Sequence, residues 1–288
     1  MTLDQVAVLL AAVFLAPIAG GLLAGIDRKI TARMHGRVGP PIVQPFYDFV
    51  KLLGKRGSTT GKFQVVTTWL HLTCTALSLV LVALGFDLIV MLFVLAFGSV
   101  AFVLGGFSVK SPYSQIGSQR EVMQLLTYEP LLIFMVVGFY LNTGTFTVQG
   151  ILDLGRPLLP TMPLFFFTMV IVMLVKLRKS PFDIAATPHH GHQEVVRGPM
   201  TEISGPSLAL VELTHWYELV LLLALMMLLW ATNLWIGLAI GLLALFCAIL
   251  IDNISARMTW SWMLRFGWTF GLALAVVNLA VIYAGRQA

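Results

Sequence analysis

Apolar runs long enough to cross a bilayer recur along this chain, and they settle the solvent in which it can fold. "LIVMLFVLAFGSVAFVLGGF", residues 88–107, carries no charged side chain from end to end. A helix needs roughly 20 such residues to cross a hydrocarbon core of about 30 Å. Eight segments qualify as candidate spans: 3–26, 66–85, 88–107, 121–142, 162–176, 208–230, 234–251 and 262–284. Only Gly85-Phe86-Asp87 separates the second from the third, which predicts a tight helical hairpin. Charged residues make up 11% of the chain against roughly 25% in a soluble domain. Such a chain cannot cover its own surface in water. The expectation is an all-α integral membrane protein forming one domain over 1–288, with the first apolar run retained because no basic segment precedes it. No internal repeat stands out, which weighs against an inverted-repeat secondary transporter.

The basic residues predict an orientation. If eight spans alternate, all 18 Lys and Arg except Arg156 and Arg286 fall on one side. By the positive-inside rule that side is cytoplasmic, and both termini lie outside, in the cell's inner membrane. The formal charge of +5 then reflects topology and gives no reason to invoke nucleic acid.

Cysteine usage excludes a class of functions. Cys74 and Cys247 lie in separate predicted spans, whereas an iron–sulfur cluster takes about four thiolates. Redox centres must therefore reside in partner subunits, and none is expected here.

Three stretches depart from the apolar background. "DRKITARMHGRVGPPIVQPFYDFVKLLGK", residues 27–55, is basic and then amphipathic: Phe46, Phe49, Val50 and Leu53 share one helical face, Tyr47, Asp48, Lys51 and Lys55 the other. A short helix over 44–54 with basic flanks should lie in the membrane interface. "SPYSQIGSQREVMQLLTYEPLL", residues 111–132, carries Glu121 and Glu129 into a predicted span. A mid-membrane carboxylate costs roughly 2.5–3.5 kcal/mol on insertion scales unless hydrated, paired or protonated. Pro130, beside Glu129, removes a backbone donor and leaves a defect that water or another helix must satisfy. In "ALVELTHWYELV", Glu212, His215 and Glu218 recur at intervals of three and spread across about a third of the circumference, one wet face of a helix. Headgroup hydration is the simpler reading for Glu121 and a poorer one for the deeper Glu129 and Glu212. The third stretch, "RKSPFDIAATPHHGHQEVVRGPMTEISG", residues 178–205, sits in a predicted loop over 177–207 and concentrates histidine and charge.

Taken together and in order, these three stretches resemble signature regions of the membrane subunit of respiratory NADH dehydrogenase (complex I) and its hydrogenase relatives. That resemblance covers nearly the whole chain and implies an eight-span subunit joining a redox arm to an ion-pumping arm. Complex I chains typically follow Pro-Phe-Asp-Leu with an acidic Glu-x-Glu cluster; here Pro181-Phe182-Asp183 leads into His189, His190 and His192. With "GPSLALVELTHWYE" and "DNISARMTW", the chain looks like the energy-converting nickel–iron hydrogenase branch of the Ech type. The resemblance implies soluble hydrogenase small and large subunits, a ferredoxin-like iron–sulfur subunit and an antiporter-like membrane subunit as partners. It makes the loop a docking surface in which Asp183 and Glu194 match acidic family positions, His189, His190 and His192 lie at the junction, and Arg28, Arg33 and Arg37 are candidate partners. Glu129, Glu202 and Glu212 become a proton path, with Glu121, Glu218 and His215 as entry or relay groups. A quinone-reducing complex I subunit is the alternative.

Three imidazoles within four residues could bind a metal. Zinc prefers four ligands on a rigid scaffold, which this Gly-interrupted loop does not supply, so interface hydrogen bonding or a pH-responsive junction is the better reading.

Overall fold

The computed structural model describes residues 3–57, 61–185 and 197–287, and these are helical with short connections. The elements are α1 (Leu3–Leu10), a π-helical turn (Ala11–Leu15), α2 (Ala16–Met34), α3 (Gln44–Leu53), α4 (Lys62–Ala83), α5 (Leu88–Phe107), α6 (Pro112–Thr143), α7 (Val148–Leu152) and α8 (Leu164–Lys176). A 3-10 turn (Gly198–Met200), α9 (Gly205–Met227), α10 (Leu234–Ile254), α11 (Trp260–Phe266) and α12 (Leu272–Gln287) complete the chain, α11 and α12 being joined through a π-helical turn (Gly267–Gly271).

Among the described residues, seven helical segments are long and apolar enough to cross a membrane. The remaining predicted span, 162–176, is α8, a helix of 13 residues. At 1.5 Å per residue it is roughly 20 Å long, about two thirds of a hydrocarbon core. From Thr168 to Lys176 every residue of α8 is buried, so protein encloses it along that length. Several helices outrun their apolar segments: α2 continues to Met34 and α6 begins at Pro112. Charge ends the predicted spans, but it does not end a helix whose charged groups find partners.

α9 is the axis of the bundle, packed against α2, α3, α4 and α10. α4 pairs with α5 as the predicted hairpin. Gly85 makes the turn at φ +83°, and the Asp87 carboxylate accepts the Ile89 N–H at 2.7 Å to cap α5. α6 lies along α5 and receives α8 and α12 on other faces. The predicted interfacial helix is α3, whose apolar face is divided. Phe46 and Phe49 pack on Trp216 of α9, with ring centroids 5.1 and 5.5 Å apart, while Val50 and Leu53 stay exposed.

Two prolines interrupt the helical ladders, and each loose end is tied by another helix. Pro17 cannot donate to the Val13 carbonyl four residues earlier; the Tyr217 hydroxyl of α9 donates to it instead. Pro130 likewise leaves the Leu126 carbonyl without its donor, and the Trp268 indole donates there at 3.2 Å. A neighbouring segment of the same chain thus satisfies the predicted defect beside Glu129.

Candidate functional site

The buried charged side chains gather where α8 ends and at Glu218 of α9. Where α8 ends, three basic side chains turn inward: Lys176, Arg178 and Lys179 are all buried. Arg178 forks onto Glu121 of α6 with contacts of 2.8 and 3.2 Å. Burial acts to lower the pKa of this guanidinium, but the Glu121 carboxylate outweighs it and holds it above its usual value. Lys179 reaches Asp27 of α2 at 2.7 Å and Asp252 of α10 at 3.2 Å. There too burial works downward, and the two carboxylates hold the ammonium above its ordinary value. Asp183 meets Arg257 at 2.7 Å; burial raises its carboxyl despite the guanidinium. Backbone contacts complete the anchoring, with Gln124 donating to the Phe182 carbonyl at 2.7 Å and Arg120 to the Ile184 carbonyl at 3.3 Å.

The segment 178–185 is thus a strap clamped by α2, α6 and α10. Asp183, which the resemblance assigns to a docking surface, finds its counter-charge within the same chain, as do Arg178 and Lys179. His189, His190, His192 and Glu194 lie outside the described residues. Arg28 bridges to Asp48 at 2.8 Å, pinning α2 to α3, whereas Arg37 is exposed and Arg33 is also at the surface.

Deeper, a second cluster centres on Glu218 of α9. Lys176 Nζ lies 2.8 Å from Glu218 Oε1, 2.9 Å from Ser99 Oγ and 3.0 Å from Tyr128 OH. Three acceptors from α5, α6 and α9 thereby match the three protons of the ammonium. His71 Nε2 of α4 stands 3.7 Å from Glu218 Oε1, and His215 Nδ1 3.9 Å from Oε2. His71 stacks on Phe102 at 5.0 Å, and Phe102 also carries the Arg178 guanidinium at 5.5 Å. The side chains of Lys176 and Glu218 are 6% and 2% exposed, so water screens this pair very little.

The cluster joins residues that lie scattered in the sequence. Glu212, half-buried, sits within electrostatic reach of His215, Arg28 and Arg197. His215 leads to Glu218, Glu218 to Lys176, and Lys176 to Tyr128. Next in sequence, Glu129 feels the Lys176 charge and lines an apolar groove of about 260 Å³ between α5 and α6. Of the six predicted acids and bases, Glu212, His215, Glu218 and Glu129 fall along this route. Glu121 is held by Arg178 at the strap, and Glu202 lines a separate pocket of about 560 Å³ with Gly61 and residues 108–112. Sequence reasoning missed Lys176, His71, Tyr128 and Ser99. In the sequence Lys176 is only a basic residue at the end of a span, and His71 one polar residue within an apolar run. A cation on one helix and its acid well along the next leave no local spacing to find.

A sequence model of the NADH dehydrogenase family matches residues 6–283. Hydrogenase-4 component C of Escherichia coli is 31% identical over 206 residues, covering 66% of this chain and 64% of that protein. Formate hydrogenlyase subunit 4 of Escherichia coli is 31% identical over 201 residues, covering 64% of each. The chain therefore spans a little under two thirds of the length of these two relatives. An NADH-quinone oxidoreductase subunit of Thermomicrobium roseum is 26% identical, covering 88% of both chains. Among solved structures, a chain of the membrane-bound sulfane sulfur reductase, an archaeal respiratory membrane complex, superimposes with a TM-score of 0.87 at 25% identity, over 97% of this chain and 100% of that one.

Proposed function

The chain belongs to the NADH dehydrogenase family, and from that premise we propose that it is the membrane-anchoring and coupling subunit of an energy-converting nickel–iron hydrogenase. In this reading ferredoxin-linked hydrogen chemistry in soluble subunits drives H⁺ or Na⁺ movement through membrane subunits. The carrying observation is the Glu212–His215–Glu218–Lys176–Tyr128–Glu129 series, buried at Glu218, Lys176 and Tyr128 and half-buried at the others. It links the end of the bundle bearing the strap to the groove between α5 and α6. Ionisable groups inside a membrane bundle are functional candidates by default, because lipid tolerates them so poorly. A change in the charge of Glu218 alters its interactions with Lys176, His71 and His215 together, and coupling requires an element that two sites can bias. The two hydrogenase-type relatives, at 31% identity, support this branch.

The test uses sealed vesicles holding the whole complex, with hydrogen turnover and the ion gradient measured together. Glu129→Gln and Glu212→Gln should assemble and turn over while moving fewer ions per electron. If both variants keep the unmodified ratio, the series is structural.

A second reading is favoured by coverage, because the NADH-quinone oxidoreductase relative from Thermomicrobium roseum matches the chain over 88% of its length. A quinone-reducing complex would lose turnover to quinone-site inhibitors at low concentration, and the hydrogenase would not. Orientation is tested by thiol labelling from outside the cell: a cysteine near Arg156 should react and one near Lys55 should not.

A further inference from the structure

α3 has one face that the fold uses and one that it leaves open. Phe46 and Phe49 turn inward onto Trp216. Asp48, the acid of this helix, is already engaged: one carboxylate oxygen accepts from Arg28 at 2.8 Å and the other from Gln44 at 3.0 Å. On the open face Tyr47, Lys51 and Lys55 follow one another at intervals of four, and all three are exposed. Gly54 keeps helical φ and ψ, so Lys55 stands close to one turn beyond Lys51. Neither lysine pairs with a carboxylate among the described residues. Ammonium groups one turn apart repel each other, so the stripe calls for a counter-anion.

Beside that stripe the open face is apolar, with Val50 and Leu53 exposed. The level of the helix explains the combination. The apolar run of α2 ends at Ile26, and Asp27, Arg28 and Lys29 follow. α3 meets α2 at that level: a Cβ on Gly21 would strike the Phe46 ring, one on Gly25 the Ile42 carbonyl, and Arg28 holds Asp48. At its other end the Lys55 carbonyl lies against Gly205, where α9 begins. α3 is thus fixed at both ends along the boundary between hydrocarbon and water. A lysine there lays its stem on apolar surface and carries its charge to headgroup level. Arg33, roughly 8 Å farther along α2 than Arg28, stands beyond that boundary, where a soluble partner would reach it. An acidic patch on a soluble protein would match the lysines but leave Val50 and Leu53 uncovered. An anionic amphiphile matches both.

We propose that the open face of α3 is a binding site for an anionic phospholipid. Tyr47, Lys51 and Lys55 donate hydrogen bonds to its phosphate, and Val50 and Leu53 lie along its acyl chains. The site is separate from the Glu212-to-Glu129 series, and its test reads lipid and not turnover.

The whole complex is placed in nanodiscs of phosphatidylcholine that carry a photoreactive lipid at low mole fraction. That lipid is either phosphatidylglycerol or phosphatidylcholine, and crosslinks to residues 44–55 are quantified. Phosphatidylglycerol should label this segment more than phosphatidylcholine by on the order of tenfold. Lys51→Gln and Lys55→Gln should each lower phosphatidylglycerol labelling roughly fivefold and leave phosphatidylcholine labelling unchanged. Lys51→Arg, which keeps the charge, should retain the preference. Equal labelling by the two lipids would overturn the site, and so would a preference that survives in the Lys51→Gln/Lys55→Gln double variant. Release of soluble subunits from that double variant with lipid labelling unchanged would also overturn it, and would assign the lysines to a protein partner.

Discussion

Lys176 and Glu218 form an ion pair 2.8 Å long between α8 and α9, with both side chains almost wholly removed from solvent. In such a place the attraction is strong, but so is the cost of desolvating either charge alone. Lys176→Met or Glu218→Leu should therefore destabilise the protein by roughly 3–5 kcal/mol, because each leaves the other charge buried without its counter-ion. The double variant should recover much of that loss. Thermal unfolding in detergent reads all three, and additive losses in the double variant would show that the two charges do not depend on each other.

Tyr217 supplies the Val13 carbonyl with the donor that Pro17 cannot provide. Tyr217→Phe should cost roughly 1–3 kcal/mol by orphaning that carbonyl in the bundle. In a Pro17→Ala background the helix regains its own N–H, and Tyr217→Phe should become nearly neutral. An unchanged penalty in both backgrounds would place the effect in ring packing.

Asp183 and Arg257 should respond unequally to removal. Asp183 is 3% exposed at the side chain and Arg257 is 40%, so the guanidinium retains water when alone and the carboxylate does not. Arg257→Gln should destabilise more than Asp183→Asn, which replaces a buried charge by a neutral amide. Limited proteolysis of the strap over 178–185 measures both. The reverse order would contradict this account of the pair.

Lys179 makes an alkaline prediction. Asp27 and Asp252 hold its ammonium above the ordinary value, so the folded state binds that proton more tightly than the unfolded one. The stabilisation is fully present below the unfolded pKa of about 10.4 and is lost as pH rises through the folded value. Unmodified protein should lose stability over that alkaline window, and Lys179→Met should show a shallower loss. Matching slopes would assign the alkaline transition to another group.

Bilayer energetics act on each segment separately, and for that reason the solvent, the helical class and the course of most helices are legible in residue order. Uncharged stretches near 20 residues must enter lipid, and only closed backbone hydrogen bonding survives there. Glu129, Glu212 and Glu218 likewise stand out as residues in need of an explanation, since their cost belongs to the residue type and its depth. Their partners are another matter. Lys176 and Glu218 lie on different helices, and His71 far earlier in the chain still; only the docking of α4, α5, α6 and α8 around α9 brings those groups to one carboxylate. The same holds for the strap, whose charges look solvent-facing in sequence until the fold sets Glu121, Asp27, Asp252 and Arg257 beside them. α8 shows the limit from the other direction: its composition reads as a span, but a helix of 13 residues enclosed by protein is set by its neighbours' packing and not by the thickness of the membrane.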